Sequence, residues 1–512
     1  MTDTASPQLY SPRDVRFLVA CLMLALLMVA FNQTLLSTAL PTIAGELGGA
    51  DRIAWVVSGF VLTSTASMPI YGSLSDVVGR RGLLALAIVI FTGGSVAAAL
   101  ATTMDGLIVC RLIQGVGGGG LLVLSQTILA DAVPARERAK YAGVFGAVWA
   151  VASVIGPLLG GWFTDGPGWN WAFWLNVPIG AIALGLTLRF VKPSQSRLRP
   201  EPDFFGIIFL LIGTTTVVLL ATWAGTVFEW NSPETVGMAA ISLASATGFV
   251  FAEYRAVQPI MSLKLFRDRT FVLATGAALL VSGIAMFAVV TYLPVYVQMV
   301  MGLNATESGL ILIPMIGSIL VSSAVTGYTV TRTGRYKLIP IVGSVIVGIA
   351  LVLMSTMDAS TTVFEVCAYS ALMGAGLGTV TQLLVLIVQN ALPAIMVGSA
   401  TASNNYFRQV GAAVGISAVG SAFTATLATT LAGTRIGDTA VAVDLETLTP
   451  SVLAQMPVTL QSEVAEAYSA ALPPLFLLLS PLALVATVLL AFLETKPLAN
   501  HQKATGDAEY EI

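Results

Sequence analysis

Long apolar stretches separated by short polar segments follow one another along almost the whole chain. A hydrocarbon core about 30 Å thick is crossed by roughly 20 apolar residues in an α-helix. Fourteen stretches reach or approach that length. The first seven are Phe17–Leu40, Ile53–Tyr71, Leu83–Ala101, Gly106–Ala130, Tyr141–Phe163, Trp171–Phe190 and Phe204–Ala224. The second seven are Val236–Ala252, Phe271–Val297, Ser308–Val330, Leu338–Met357, Val363–Val388, Tyr406–Ala432 and Ala471–Leu493. The pattern predicts an all-α integral membrane protein of fourteen crossings, because a helix satisfies its own backbone hydrogen bonds in lipid. Hydrophobic residues make up 56% of the 512 positions and charged residues 10%, too little charge to cover a soluble protein of this length.

The sparse charges orient the spans. With the N-terminus in the cytoplasm, 21 of the 24 Lys and Arg fall in cytoplasmic segments, Arg408 among them. Arg52 and Arg435 lie on the other side, and Arg111 alone falls inside a span. This asymmetry predicts a cell-membrane protein with both termini cytoplasmic. The first span has basic flanks like a signal peptide, but it is too long for one and thirteen spans follow, so an uncleaved helix is expected. The largest outer loop, 433–470, is acidic, and one amphipathic helix in a solvated linker is expected there.

Residue types exclude most soluble-enzyme chemistry. Cys21, Cys110 and Cys367 lie in distant apolar runs, which suits buried small hydrophobes and gives no disulfide framework or metal spacing. The one histidine, His501, lies in the polar tail, so no His-based triad, zinc site or haem ligand is available. No enzymatic activity, metal or cofactor is expected.

The loop after the second span, Gly72-Ser-Leu-Ser-Asp76-Val-Val-Gly79-Arg80-Arg81, recurs after the tenth as Gly327-Tyr-Thr-Val-Thr331-Arg-Thr-Gly334-Arg335-Tyr-Lys337. Gly72 and Gly327, Gly79 and Gly334, and Arg80 and Arg335 are each 255 residues apart. Both copies lie on the same face with the same polarity, as parallel repeats require. The repeat divides the chain into a tail (1–16), a six-helix bundle (17–190), two inserted helices (204–252), a second six-helix bundle (271–493) and a cytoplasmic tail (494–512). A duplication of this kind places a cavity between the halves, near the midplane.

On these motifs the chain resembles the major facilitator superfamily, and more narrowly its fourteen-helix drug:proton antiporter family. Gly72–Arg81 is similar to the superfamily loop between helices two and three. Arg111-Leu-Ile-Gln114-Gly115-Val-Gly117 resembles the helix-four motif. Ala152-Ser-Val-Ile-Gly156-Pro157-Leu-Leu-Gly160-Gly161 resembles the helix-five antiporter motif, with Ala152 where its leading glycine is usual. Trp169–Gly180 is similar to the entry into helix six, with Asn170 where arginine is usual. The resemblance implies a major facilitator fold, export of drugs or lipophilic compounds and proton antiport. It makes Asp76, Arg80 and Arg81 a gating latch, and Arg111 and Gln114 part of proton coupling with the first helix.

Each motif also has a plainer account. The Gly72–Arg81 loop serves equally as a positive-inside anchor. A charge at the helix centre costs about 2.5–3.5 kcal/mol on insertion scales, so Arg111 either faces a cavity or partner, or snorkels to the nearby outer surface. Gly115, Gly117 and Gly120 spell G-x-G-x-x-G, but no strand precedes them, so helix packing is expected rather than a phosphate loop. Gly156-Pro157 is expected to kink helix five.

The coupling carboxylate is missing. The resembled family has an aspartate in helix one, and Asn32 stands there. Asn hydrogen-bonds like a protonated Asp but cannot titrate. Three alternatives stay open: Asn32 mimics the protonated state, another acid such as Glu365 couples, or transport is not proton-driven.

Polar residues inside the apolar helices, Gln126, Gln382 and Asn405 with Trp149 and Tyr292, are candidates for a cargo cavity suited to lipophilic or weakly cationic compounds. The expected function is export of drugs or other lipophilic small molecules by alternating access. A lipid or metabolite exporter of the same fold, or a receptor that binds without turnover, are the alternatives. Protons and membrane lipid are the expected partners of a functional monomer; no nucleic acid is expected.

Overall fold

The computed structural model describes residues 10–49, 52–193, 203–224, 228–432, 453 and 457–498. His501, most of the acidic loop (Arg435, Asp438, Asp444 and Glu446) and most of both tails lie outside these residues.

Each of the fourteen apolar stretches is helical. In chain order they form α1 (Pro12–Leu47), α2 (Ile53–Val78), α3 (Arg80–Ala99), α4 (Met104–Ala132), α5 (Ala135–Asp165), α6 (Trp171–Phe190) and α7 (Phe204–Trp223). Then follow α8 (Pro233–Arg255), α9 (Arg269–Met299), α10 (Ile313–Thr333), α11 (Leu338–Met354), α12 (Val363–Ala391), α13 (Val397–Ala432) and α14 (Pro473–Ala491). Among the described residues twelve helices are long and apolar enough to cross a membrane; α11 is a shorter apolar helix. A short helix, Val458–Ala471, precedes α14 and buries Val464, Ala467 and Tyr468.

Helix starts follow local chemistry. Ser11, Thr103 and Ser232 accept hydrogen bonds from the amides of Asp14, Gly106 and Thr235, satisfying donors that a helix N-terminus leaves free. Thr362 and Glu365 form a reciprocal capping box at α12.

The helices gather into two large cores. Side chains of α1–α6 build one, and those of α9–α14 the other. Each core borrows from across the seam: Ala402 of α13 joins the first, and Ala135 and Ala139 of α5 join the second. The helices α7 and α8 pair with each other, and α7 lies against both α2 and α13. Trp223 meets Trp55 edge-on, and Thr214 hydrogen-bonds Tyr406 at 2.9 Å.

Inside each half, one helix is wedged between two others by glycines. A Cβ at Gly115 or Gly119 of α4 would collide with the α2 backbone at Phe60 or Ser64. One at Gly117 would lie 2.7 Å from Ala87 O of α3. In α12, Gly374 and Gly378 press on α10 at Met315 and Ile319 in the same way, and Gly376 on α11 at Gly343. The two triplets are 259 residues apart. The G-x-G-x-x-G run is therefore a packing surface.

Candidate functional site

The seam between the halves is closed at the face where α1 begins and α14 ends, here called the basic face. Gly72 of α2 lets Gly398 and Ala402 of α13 approach so closely that a Cβ would overlap them. This contact delivers Asp76 to the first turn of α13. Its Oδ1 accepts from the amide of Gly398 (3.1 Å) and its Oδ2 from that of Ser399 (2.9 Å). A carboxylate at a helix N-terminus meets unpaired amides and the positive end of the macrodipole together. Arg80 holds the carboxylate from its own side at 3.2 Å, donates to Thr127 O at 2.7 Å and pairs with Asp131 of α4. Asp76 and Arg80 thus sit in one cross-seam cluster. Arg81 does not join them: it reaches the Leu188 carbonyl at the end of α6.

Up to two turns further in, a layer of amides bridges the halves. Asn405 of α13 donates to Gln126 Oε1 of α4 at 2.7 Å. Gln389 of α12 donates to Thr401 at 3.1 Å and accepts from Arg138 of α5 at 3.2 Å. Gln126, Gln389 and Gln382 line a cavity of about 40 Å³, which holds about one water. Gln126, Gln382 and Asn405, proposed from sequence as cargo-cavity residues, are therefore brought together, but in the closed part of the seam.

Arg408 corrects the sequence-based topology. The sequence counts Arg408 with the cytoplasmic residues because it falls at the very start of the stretch Tyr406–Ala432, whereas α13 starts at Val397. Eleven residues at 1.5 Å each put Arg408 about 16 Å along the helix. Two arginines, Arg111 and Arg408, thus lie well inside long apolar helices. Arg408 donates from Nη2 to Asn405 Oδ1 at 2.9 Å, while its buried Nε meets no protein acceptor.

The other arginine is engaged more completely. Arg111, 1% exposed, donates from Nε to Val56 O (2.9 Å) and from Nη1 to Asn32 Oδ1 and Gln114 Oε1 (2.6 Å to Gln114). Gln114 in turn donates to Ser95. The guanidinium carbon stands 4.5 Å from the centroid of Phe60, a cation–π placement. This burial excludes snorkelling and gathers Asn32, Arg111 and Gln114 into one cluster. Its acceptors are all neutral. An Asp in place of Asn32 would make this a buried ion pair; the amide makes it a fixed hydrogen-bonded cation.

The helix-five motif divides. A Cβ at Gly156 or Gly160 would strike Thr34 or Thr38 of α1, so both glycines carry close packing just beyond Asn32. Gly161 has no neighbour within 4 Å of such an atom, and Pro157 is exposed. Tyr292 spends its hydroxyl on Ile416 O at 2.9 Å and stands apart from the amide layer, as does the half-buried Trp149. Glu365 is exposed in its capping box at the opposite face, which removes it as a buried coupling acid. Asn170 donates to Ala99 O at 2.6 Å, capping α3.

Sequence reasoning missed Gly398, Ser399 and Arg408. The polar run Ser403-Asn404-Asn405-Tyr406-Phe407-Arg408-Gln409 dilutes the hydropathy of α13. The available signal was Gly398: a glycine followed by small residues suits close helix approach.

Comparison with known proteins gives concordant results. The Major Facilitator Superfamily pattern matches residues 22–416. An uncharacterized MFS-type transporter of Mycobacterium tuberculosis is 37% identical over 497 residues, 97% of this chain and 72% of that protein. Multidrug resistance protein 3 of Bacillus subtilis is 32% identical over 93% of this chain and 95% of its own length. Among solved structures, the human organic anion transporter MFSD10 superposes with a TM-score of 0.64 at 15% identity, covering 94% of this chain and 100% of that one. At that identity the likeness concerns the fold alone.

Proposed function

The chain belongs to the Major Facilitator Superfamily of membrane transporters, and we propose that it exports lipophilic small molecules from the cell by alternating access, in exchange for protons. The proposal takes 17–190 and 271–493 as the two moving bundles, 204–252 as an inserted pair, and the basic face as cytoplasmic in the cell membrane. One chain supplies both halves and the seam, so the functional unit is a monomer. Likeness to a multidrug resistance protein along nearly the whole chain supports lipophilic cargo.

The observation that carries the proposal is the fastening of the seam at one face by Asp76 on the α13 N-terminus. Alternating access needs a closure that is tight in one state and releasable in another, and a carboxylate on helix amides is released by protonation. Asn32, by contrast, holds Arg111 with a neutral amide, as a protonated carboxyl would. The α1 site is then permanently in the protonated form. Coupling shifts to the gate carboxylate Asp76, which touches α13 across the seam, and to Asp131, which shares Arg80 with it.

Everted membrane vesicles test this with a neutral, a cationic and an anionic lipophile (Nile red, tetraphenylphosphonium and naphthaleneacetate). Uptake of at least one above control vesicles, stimulated by an acid interior and abolished by nigericin, is expected. No uptake above control refutes export; uptake indifferent to the gradient refutes antiport. Asn32→Asp is expected to add a pH-dependent step, and an unchanged pH profile would show that α1 is not a coupling site.

A further inference from the structure

Arg408 bonds Asn405, the residue that crosses the seam to Gln126, and has donors unmet. A guanidinium offers five N–H groups, and the described protein answers with one acceptor, Asn405 Oδ1. None of the described ion pairs involves it. Arg111 shows what a well-partnered buried arginine looks like here: three acceptors, an aromatic face and 1% exposure. Arg408 is only half-buried, and its contact with Asn405, itself bonded to Gln126 of the other half, turns its head toward the seam. It lies one turn beyond the amide layer, on the side away from the latch.

The repeat identifies what stands at the matching place in the other half. A shift of 259 residues carries Ala139, which packs on Gly327, to Gly398, which packs on Gly72. It carries Gly156, pressed on α1 at Thr34, to Gly415, pressed on α9 at Ile284. The same shift carries Trp149 to Arg408. At one level of the two related helices, one half thus presents an indole and the other a guanidinium.

We propose that Arg408 is an anion-binding group that the seam presents to cargo when the halves part, so that the cargo is an amphiphile with a lipophilic body and a carboxylate or sulfonate head. The proposal rests on the export reading above. A guanidinium edge matches a carboxylate by paired hydrogen bonds, and a lipophilic anion supplies the negative charge that no described ion pair brings to Arg408. Trp149 and the apolar walls take the body. Lipophilic cations are disfavoured, because they would enter beside an uncompensated positive charge in a low-dielectric space. This narrows the cargo and reverses the weakly cationic preference expected from sequence.

The test measures binding of tritiated naphthaleneacetate, its neutral amide and tetraphenylphosphonium to the purified full chain in nanodiscs. Wild type is expected to bind the carboxylate more tightly than the cation. In Arg408→Gln the affinity ratio of naphthaleneacetate to naphthaleneacetamide falls at least tenfold. Arg408→Lys, which keeps the charge but not the fork, falls less, and this second variant guards against misfolding of the first. Naphthaleneacetate binding absent in wild type, or a ratio within twofold of wild type in Arg408→Gln, overturns the proposal, as does tighter binding of tetraphenylphosphonium. Binding is independent of turnover, so the two readings fail separately. Arg408-dependent binding without vesicle uptake of any lipophile refutes export alone; uptake of Nile red with Arg408-independent anion binding refutes the anion site alone.

Discussion

Gly72–Arg81 and Gly327–Lys337 occupy equivalent places at the basic face, yet each fastens its neighbour across the seam with different groups. In both, a glycine admits the opposing backbone: Gly398 at Gly72, Ala139 at Gly327. In the first, Asp76 on the loop side reaches the amides that open α13. In the second, the residue 255 further on is Thr331, whose hydroxyl donates to Arg136 O at 3.1 Å. The charge has moved to the opposing helix, where Arg136 donates to the carbonyls of Thr331 and Arg332, both at 2.8 Å, at the end of α10. An acid on a helix start and a base on a helix end are both favourable with the macrodipole. Only the acid can be neutralised by a proton; the guanidinium stays charged at any physiological pH. The duplication kept the close approach and left just one side switchable.

Altering the glycines should break both sides alike. Gly72→Leu and Gly327→Leu each drive a side chain into opposing backbone, so both are expected to lower vesicle uptake more than a hundredfold at matched expression. Retention of a tenth of wild-type uptake by either one would show that its seam need not close. Asp76→Asn keeps the shape and removes the charge. Hydrogen bonds to charged groups contribute about 1.5–3 kcal/mol, and a roughly tenfold loss of uptake is expected, with the acid stimulation gone. A variant that still responds to an acid interior would remove Asp76 from coupling. Arg136→Gln acts on the partly exposed side and should cost threefold or less, leaving the response to pH intact; a loss as large as that of Asp76→Asn would make the two sides equivalent. The smallest effect belongs to Glu365→Gln, which keeps a residue able to close the capping box, read as a small drop in melting temperature with uptake unchanged.

Most of the helical layout was legible, because lipid makes apolar length nearly synonymous with a span. The loop repeat was legible too, since glycines at a fixed offset record close approach. The site was legible only in part. Asn32, Arg111 and Gln114 announced themselves as polar residues in apolar runs, and the structure joins them. Gln126 and Asn405 did so equally, but sequence could not tell a cavity wall from a seam clasp, which depends on which conformational state the halves adopt. Arg408 was hidden by its own neighbourhood: seven mostly polar residues near the start of α13 look like a loop until their partners, Thr275 and Gln126, are known. Hydropathy averages over residues, whereas burial of a polar group is decided by single contacts.

The pair α7 and α8 has a geometrical consequence. By lying on α2 and α13 through Trp55, Tyr406 and Ser421, it walls off one of the two long clefts by which a two-bundle protein meets the surrounding lipid. Among the described residues no helix pair covers the cleft between α5 and α10 in this way. Solutes dissolved in the bilayer therefore find a molecule with a back and a front, and lateral entry, where it occurs, has a single side from which to come.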